Sequence, residues 1–230
     1  MRALLLAAGL GTRLRPLTET TPKCLIPIHG IPLLDYWFAL LLDGGLERVL
    51  VNTGYLSDQV RRHVEASRWR ERIDLVHEDQ LLGTGGTVLA NRAWFGEGPL
   101  LVAHADNLTR FDLAAFRARH ESRPPGTAIT MMTFDSDTPH SCGIIEEDDQ
   151  GIVCAFHEKV AHPPGIRANG AVYIFDPSVL DFLAHLNRPG IDLSTEVLPE
   201  FLGRICTFHN ADYHRDIGTL DSLDRAEREY

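Results

Sequence analysis

Short apolar runs alternate with helical patterns along the first part of this chain, and that alternation restricts its fold more than any other feature. Residues 3–6, 48–52, 73–77, 100–103 and 128–134 are rich in Leu, Val, Ile and Ala, with little regular polar alternation. A strand without a polar face is covered on both sides, as in a parallel sheet flanked by helices. Between these runs lie helical patterns at 32–42, 57–67, 84–91 and 112–120. The first has Pro32 at its entry and Gly44-Gly45 at its exit, and is apolar on nearly every side, which suits either a core or an interface. The second carries Val60 and Val64 on one face, with Ser57 as its expected cap. The prediction is an α/β fold with a mainly parallel sheet.

After Ser136 the pattern changes. Residues 143–146, 152–157 and 168–175 are closely spaced strand candidates, and the acidic turn 146–151 reads as a hairpin. Helices are expected at 177–186, 193–202 (capped by Ser194) and 220–230, with a late strand at 203–208. There is no internal repeat and no long linker. At 230 residues, against about 150 per domain, the chain is read as one domain with a small antiparallel insertion.

Charge narrows the partners. Lys and Arg total 22 and Asp and Glu 32, a net charge of −10. That argues against non-specific binding to nucleic acid or membrane, since both call for a basic face. A small anionic ligand remains compatible, because a few Arg, Lys and backbone N–H groups can override the total, preferably with a cation between protein and ligand. The cysteines at 24, 142, 154 and 206 form no CxxC pair, so neither a zinc framework nor a disulfide scaffold is expected. A reducing compartment, the cytoplasm, is the expected location. The apolar N-terminal run is followed by Arg13 and Arg15 without a processing pattern, and is read as a buried strand rather than a leader. No apolar stretch reaches the roughly 18 residues of a membrane span.

Residues 7–13, Ala-Ala-Gly-Leu-Gly-Thr-Arg, leave the carboxyl end of the first predicted strand, where open α/β sheets bind ligands. Gly9 and Gly11 allow backbone N–H groups to approach a phosphate, although a plain turn accounts for two glycines equally well. The run is not a P-loop, and after Arg13 it is Leu14 that stands where a dinucleotide fingerprint needs its third glycine. Leu14-Arg15-Pro16-Leu17-Thr18 and then Thr21-Pro22-Lys23-Cys24-Leu25 follow.

This stretch closely resembles the N-terminal signature of the sugar-1-phosphate nucleotidyltransferases, the NDP-sugar pyrophosphorylases: Ala-Gly-x-Gly-Thr-Arg-Leu-x-Pro-Leu-Thr, then Pro-Lys-Pro-Leu. Cys24 stands where the family usually has Pro. Further matches are Leu82-Gly83-Thr84-Gly85-Gly86, Ala105-Asp106 in place of Gly-Asp, Glu158-Lys159, Asn169-Gly170-Ala171 with Ala171 for a usual Gly, and Asp216-Ile217-Gly218-Thr219. The resemblance therefore covers nearly the whole chain. It is closest in pattern to mannose- or heptose-1-phosphate guanylyltransferases and to N-acetylmuramate-1-phosphate uridylyltransferases.

The resemblance implies a Rossmann-like, glycosyltransferase-A-like sheet, with a nucleotide-binding half over residues 1–110 and a sugar-phosphate-binding half over 111–230. It implies transfer of a nucleotidyl group from an NTP to a sugar 1-phosphate, with release of pyrophosphate. Arg13, Lys23, Asp106 and Asp216 are the implied catalytic residues. Leu6, Ala8, Gly9, Gly11, Thr12 and Arg13 would surround the nucleotide phosphates, with Asp106 beside them and Glu78, Gly83 and Gly85 toward the base. Asp106 and Asp216 would hold one Mg²⁺, although no local spacing brings residues so distant in sequence together. Asn107, Glu158, Lys159, Asn169 and Gly170 would bind the sugar phosphate. The Leu82–Gly86 segment looks like that of guanylyltransferases, so GTP with a manno-configured phosphate is favoured; UTP with N-acetylmuramate or glucose-like phosphates is the alternative. A CDP-forming enzyme using phosphocholine and a catalytically silent regulatory subunit are further rivals, the latter disfavoured by the retained Arg13, Lys23, Asp106 and Asp216. The remaining expectations are a single-activity bacterial enzyme of cell-surface glycan synthesis, monomeric or homodimeric. The scattered histidines and Asp35 carry no assigned role.

Overall fold

Leucine, valine and alanine fill the strands Arg2–Leu6 and Val49–Thr53, and their side chains are buried on both faces: Ala3, Leu4, Leu5, Val49 and Val51 are fully enclosed. Each such Leu or Val contributes roughly 1.5–3 kcal/mol relative to exposure. The two strands pair in parallel, Ala3 opposite Val49, and Val49–Thr53 pairs in parallel with Ile73–His77. The computed structural model describes residues 1–230 and divides into two compact units. The first comprises Met1–Leu81, Ala103–Phe111 and Asp212–Tyr230, and contains these strands; the second comprises Leu82–Val102 and Asp112–Ala211.

In the first unit, helix Leu33–Phe38 widens into a π turn at Ala39–Asp43. Leu33, Leu34, Trp37, Phe38, Leu41 and Leu42 are all buried within the chain, so this apolar segment is core. Helix Ser57–Ala66 turns Val60 and Val64 inward, as its pattern predicts. Ser57 is not its cap, however. Leu56 precedes the helix in the left-handed region (φ 53), and no side chain caps it. A two-stranded ribbon that periodicity did not predict joins Asn107–Arg110 to Tyr213–Asp216, with Asp216 opposite Asn107. Beside these elements Leu14, Ile26, Ile28, Leu33, Leu108, Ile217 and Ala226 form one buried cluster, edged by Tyr36, Tyr213, Leu223 and Tyr230.

In the second unit, strand Ile129–Asp135 pairs antiparallel with Arg167–Phe175 and parallel with Ile205–His209. Gly143–Glu147 and Val153–Glu158 form the expected hairpin. In this unit the strand Ile129–Asp135 already pairs antiparallel ahead of the change of pattern after Ser136, because strands covered on both faces look alike whichever way they pair. The helix expected at 193–202 is a π turn, Leu193–Val197, followed by a 3-10 turn, Leu198–Phe201. Pro199 lacks the N–H a regular helix needs. Its cap is Asp192, whose carboxylate accepts from the Thr195 N–H at 2.9 Å, rather than Ser194. The strands are mixed parallel and antiparallel with flanking helices, a Rossmann-like α/β architecture. No helix is long and apolar enough to cross a membrane, and all four cysteines are free thiols.

Candidate active site

The glycine loop is fixed at both ends by groups the chain supplies. At its start the Ala7 N–H donates to Asn52 Oδ1 at 2.6 Å, and Asn52 Nδ2 donates to Glu78 Oε1 at 3.1 Å. Both side chains are buried, so this relay locks the exit from strand Arg2–Leu6. Glu78 is thereby engaged in holding the loop through Asn52. At the other end Gly11 adopts φ 61, and an added Cβ would lie 2.9 Å from Thr18 Cγ2 and 3.2 Å from Lys23 Cβ. Thr18 Oγ1 donates to the Gly11 carbonyl at 2.8 Å. Glycine here satisfies both a left-handed backbone and a close approach to the segment that carries Lys23.

Lys23, Asp106, Asp216 and Arg13 come together in the first unit. Lys23 Nζ lies 2.7 Å from Asp106 Oδ2 and 3.2 Å from Asp216 Oδ1, and Arg13 Nη2 lies 3.6 Å from Asp216 Oδ2. The Lys23 side chain is only 8% exposed, which rejects a solvated surface lysine. The arrangement follows from the core. Arg13 precedes Leu14, Asp216 precedes Ile217, and Asp106 is two residues before Leu108, each of these neighbours a member of the buried cluster. The ribbon sets Asp216 opposite Asn107, the Ile217 N–H donates to the Asp106 carbonyl at 3.0 Å, and Trp37 Nε1 donates to the Asn107 carbonyl at 2.9 Å. The long sequence gap between the two carboxylates is closed by these contacts.

Burial works against ionisation of Asp106, but the Lys23 ammonium and then His104 outweigh it and hold the carboxyl below its ordinary value. Burial pushes the Cys24 thiol up to about 12, so it stays protonated and unreactive beside Lys23. His214 is pushed down to about 3 by burial and is neutral.

Two carboxylates that already share one cationic nitrogen suit a hard divalent cation. No group of three or more His, Cys, Asp or Glu side chains converges in the chain. A divalent cation held by Asp106 and Asp216 would take its remaining ligands from phosphate oxygens and water.

In the second unit the Glu158–Lys159 pair is 3.0 Å apart, and Lys159 adopts φ 51. Gly143 faces Glu158 across the hairpin; a Cβ there would come 2.6 Å from Glu158 Oε2. Asn169 shapes a bulge: Oδ1 accepts from the Ala171 N–H at 2.9 Å and Nδ2 donates to Tyr173 Oη at 2.7 Å. Gly170 is buried within it. The glycines after Leu82 are packing residues. Cβ atoms at Gly83 and Gly86 would lie 2.4 Å from the Ile191 carbonyl and 2.0 Å from the Pro189 carbonyl. The N–H groups of Gly85 and Gly86 both donate to the Ile191 carbonyl, so they are not open to a ligand as a bare helix entry would leave them.

Thr18 and Gly218 lie within the motifs but had no role there, and no motif marked Asn52 or Trp37. A buried Asn closing an otherwise apolar strand was the one visible signal among them. The others act through neighbours that only the fold supplies.

Mannose-1-phosphate guanylyltransferase of Mycobacterium tuberculosis is 29% identical over 228 residues, covering 97% of this chain and 62% of that protein. UTP–glucose-1-phosphate uridylyltransferase of Synechocystis is 27% identical over 245 residues, covering 99% and 63%. The crystal structure of HddC from Yersinia pseudotuberculosis superposes with a TM-score of 0.83 at 23% identity, covering 99% of this chain and 98% of that one, and shares the fold. The chain thus spans less than two thirds of the length of these two curated relatives. The family model described as nucleotidyl transferase matches residues 2–230, and the chain belongs to that family.

Proposed function

We propose that this chain transfers a nucleotidyl group from an NTP to a sugar 1-phosphate and releases pyrophosphate. GTP with a manno-configured hexose or heptose 1-phosphate is the favoured pair. The observation that carries the reading is the Lys23 ammonium set between the Asp106 and Asp216 carboxylates, with Arg13 alongside. Family membership implies divalent-metal-dependent chemistry.

In this reaction an anionic oxygen of the sugar phosphate bonds to the α-phosphorus. The bond from that phosphorus to its bridging oxygen breaks, and pyrophosphate leaves with the electron pair. The attacking oxygen is already ionised, so no side-chain nucleophile or base is needed. The protein's task is positioning and offsetting charge. Lys23 supplies a compact cation at the reacting phosphate, and Arg13, whose side chain is two-thirds exposed, offers its fork to the leaving phosphates. Leu6, Ala8, Gly9, Gly11 and Thr12 form the cradle that the Asn52–Glu78 relay and Thr18 hold in shape. Asp106 and Asp216 would hold Mg²⁺, which when bound supplies charge neutralisation between the two anionic substrates. In the second unit Glu158, Lys159, Asn169 and Gly170 are assigned to the sugar phosphate, where Lys159 offers the phosphate a cation and Glu158 offers acceptors to hydroxyl groups.

The name of the Mycobacterium relative supports guanine, and that of the Synechocystis relative supports a UTP-dependent second reading. The Leu82–Gly86 pattern weighs less than its resemblance suggests, because three of its glycines have packing roles. The test is Mg²⁺-dependent pyrophosphate release with GTP, UTP, CTP, ATP and dTTP, each against a panel of sugar 1-phosphates and phosphocholine. Turnover with GTP and a manno-configured phosphate is expected. Turnover with UTP keeps the chemistry and changes the base; silence across the panel, in folded protein, contradicts the reading.

A further inference from the structure

Gly218 follows the Asp216–Ile217 step, and its lack of a side chain has a local reason. A Cβ at this position would lie 2.6 Å from Asp216 Oδ2, 2.9 Å from Arg13 Nη2 and 3.1 Å from Arg13 Cζ. Its φ is outside the left-handed region, so alanine is compatible with the backbone. The position therefore calls for glycine because of the space above it rather than its own conformation.

That space cannot be made by moving the main chain cheaply. Ile217 is fully buried and its N–H is bonded to the Asp106 carbonyl. The Gly218 N–H donates to Ser222 Oγ at 3.1 Å, and Thr219 closes a reciprocal cap with Ser222 at the start of helix Leu220–Glu229. The backbone is pinned on both sides, whereas the atoms a methyl would meet are the free ends of two flexible side chains. Those ends are the carboxylate and guanidinium of the candidate site.

We infer that Gly218 is a positioning residue. Its bare Cα is the floor on which Asp216 folds back to reach Lys23 and Arg13. The inference deepens the proposed function and rests on it. A methyl at this position is tolerated by the fold and harms the site, which is the reverse of what a glycine required for packing or a turn would show.

The test uses Gly218→Ala and Asp216→Ala beside the wild-type protein. Melting temperature, Mn²⁺-dependent binding of GTP or UTP (whichever the wild type holds more tightly) and a crystal structure of Gly218→Ala are measured. For Gly218→Ala, melting within about 2 °C of wild type is expected, together with nucleotide affinity weakened about 10-fold, the scale on which loss of an orienting contact acts on a metal site. The Asp216 carboxylate should be swung off Lys23 over an unmoved backbone. A carboxylate left in place with wild-type affinity overturns the inference, as does a displaced backbone with melting lowered by more than about 5 °C. If Asp216→Ala binds nucleotide as wild type does, the proposed site itself is wrong. If Asp216→Ala weakens binding and Gly218→Ala does not, only the role of Gly218 fails.

Discussion

Replacing Lys23 with methionine would leave the Asp106 and Asp216 carboxylates without the ammonium that now lies 2.7 and 3.2 Å from them. Two effects should follow. Turnover should fall by about 10² or more, as when a preorganised donor to developing charge is removed. Added Mg²⁺ should also raise the melting temperature of Lys23→Met more than that of wild type, because the metal then supplies the only nearby counter-charge that both carboxylates can share. Equal Mg²⁺ shifts for the two proteins would contradict this account of the pair. Elsewhere, His120 is 1% exposed, with Nδ1 2.8 Å from Thr130 Oγ1, and burial pushes its pKa from 6.5 down to about 4. As pH falls below the ordinary value, the unfolded chain takes up this proton before the folded one. The stability that comes from keeping His120 neutral is therefore complete above about pH 6.5 and lost on the way down to pH 4. Between pH 7.5 and 5 the loss should be on the order of 2 kcal/mol. Denaturant melts at both pH values should show a smaller drop for His120→Gln than for wild type; parallel drops would refute the assignment.

At the scale of elements, two small substitutions should act in opposite directions. Helix Gly83–Ala90 packs against residues 189–191, and a Cβ at Gly86 would meet the Pro189 carbonyl at 2.0 Å. Gly86→Ala should cost about 1–3 kcal/mol or more in a urea melt, since backbone rather than a side-chain tip must yield. Ala171 holds φ 53 in the bulge of strand Arg167–Phe175. Ala171→Gly should leave stability level or raise it by up to about 1 kcal/mol, the left-handed penalty relieved being partly offset by the entropy of glycine. A destabilised Ala171→Gly would mean that the methyl packs usefully. These elements also mark how far the sequence could be read. Strands such as Arg2–Leu6 and Val49–Thr53 were legible because apolar runs bounded by turn residues have few alternatives. The ribbon of Asn107–Arg110 with Tyr213–Asp216 was not, because both strands are short and one is Tyr-His-Arg-Asp, without an apolar rhythm. That ribbon brings Asp216 opposite Asn107, so the part of the fold that sets the site was the least visible in the sequence.

For the molecule as a whole, a net charge of −10 contrasts with a site that places Lys23 and Arg13 beside two carboxylates. Arg13, Lys23, Asp106 and Asp216 could be singled out from motifs because the charge on each side chain is legible without the fold. Gly218 lies in the same motif as Asp216 but without a role, and Asn52 and Trp37 lie in none, because what these three do depends on which atoms the fold sets against them. If the proposed function holds, the cluster of Lys23, Asp106, Asp216 and Arg13 carries nucleotidyl transfer. The most direct measurement is Mg²⁺-dependent pyrophosphate release by wild type and by Asp106→Asn, each shown to be folded, with the best substrate pair from the panel. Wild type should turn over in a reaction that EDTA abolishes, and Asp106→Asn should lose about 10²–10³ of that rate. Turnover by Asp106→Asn equal to that of wild type would contradict the reading.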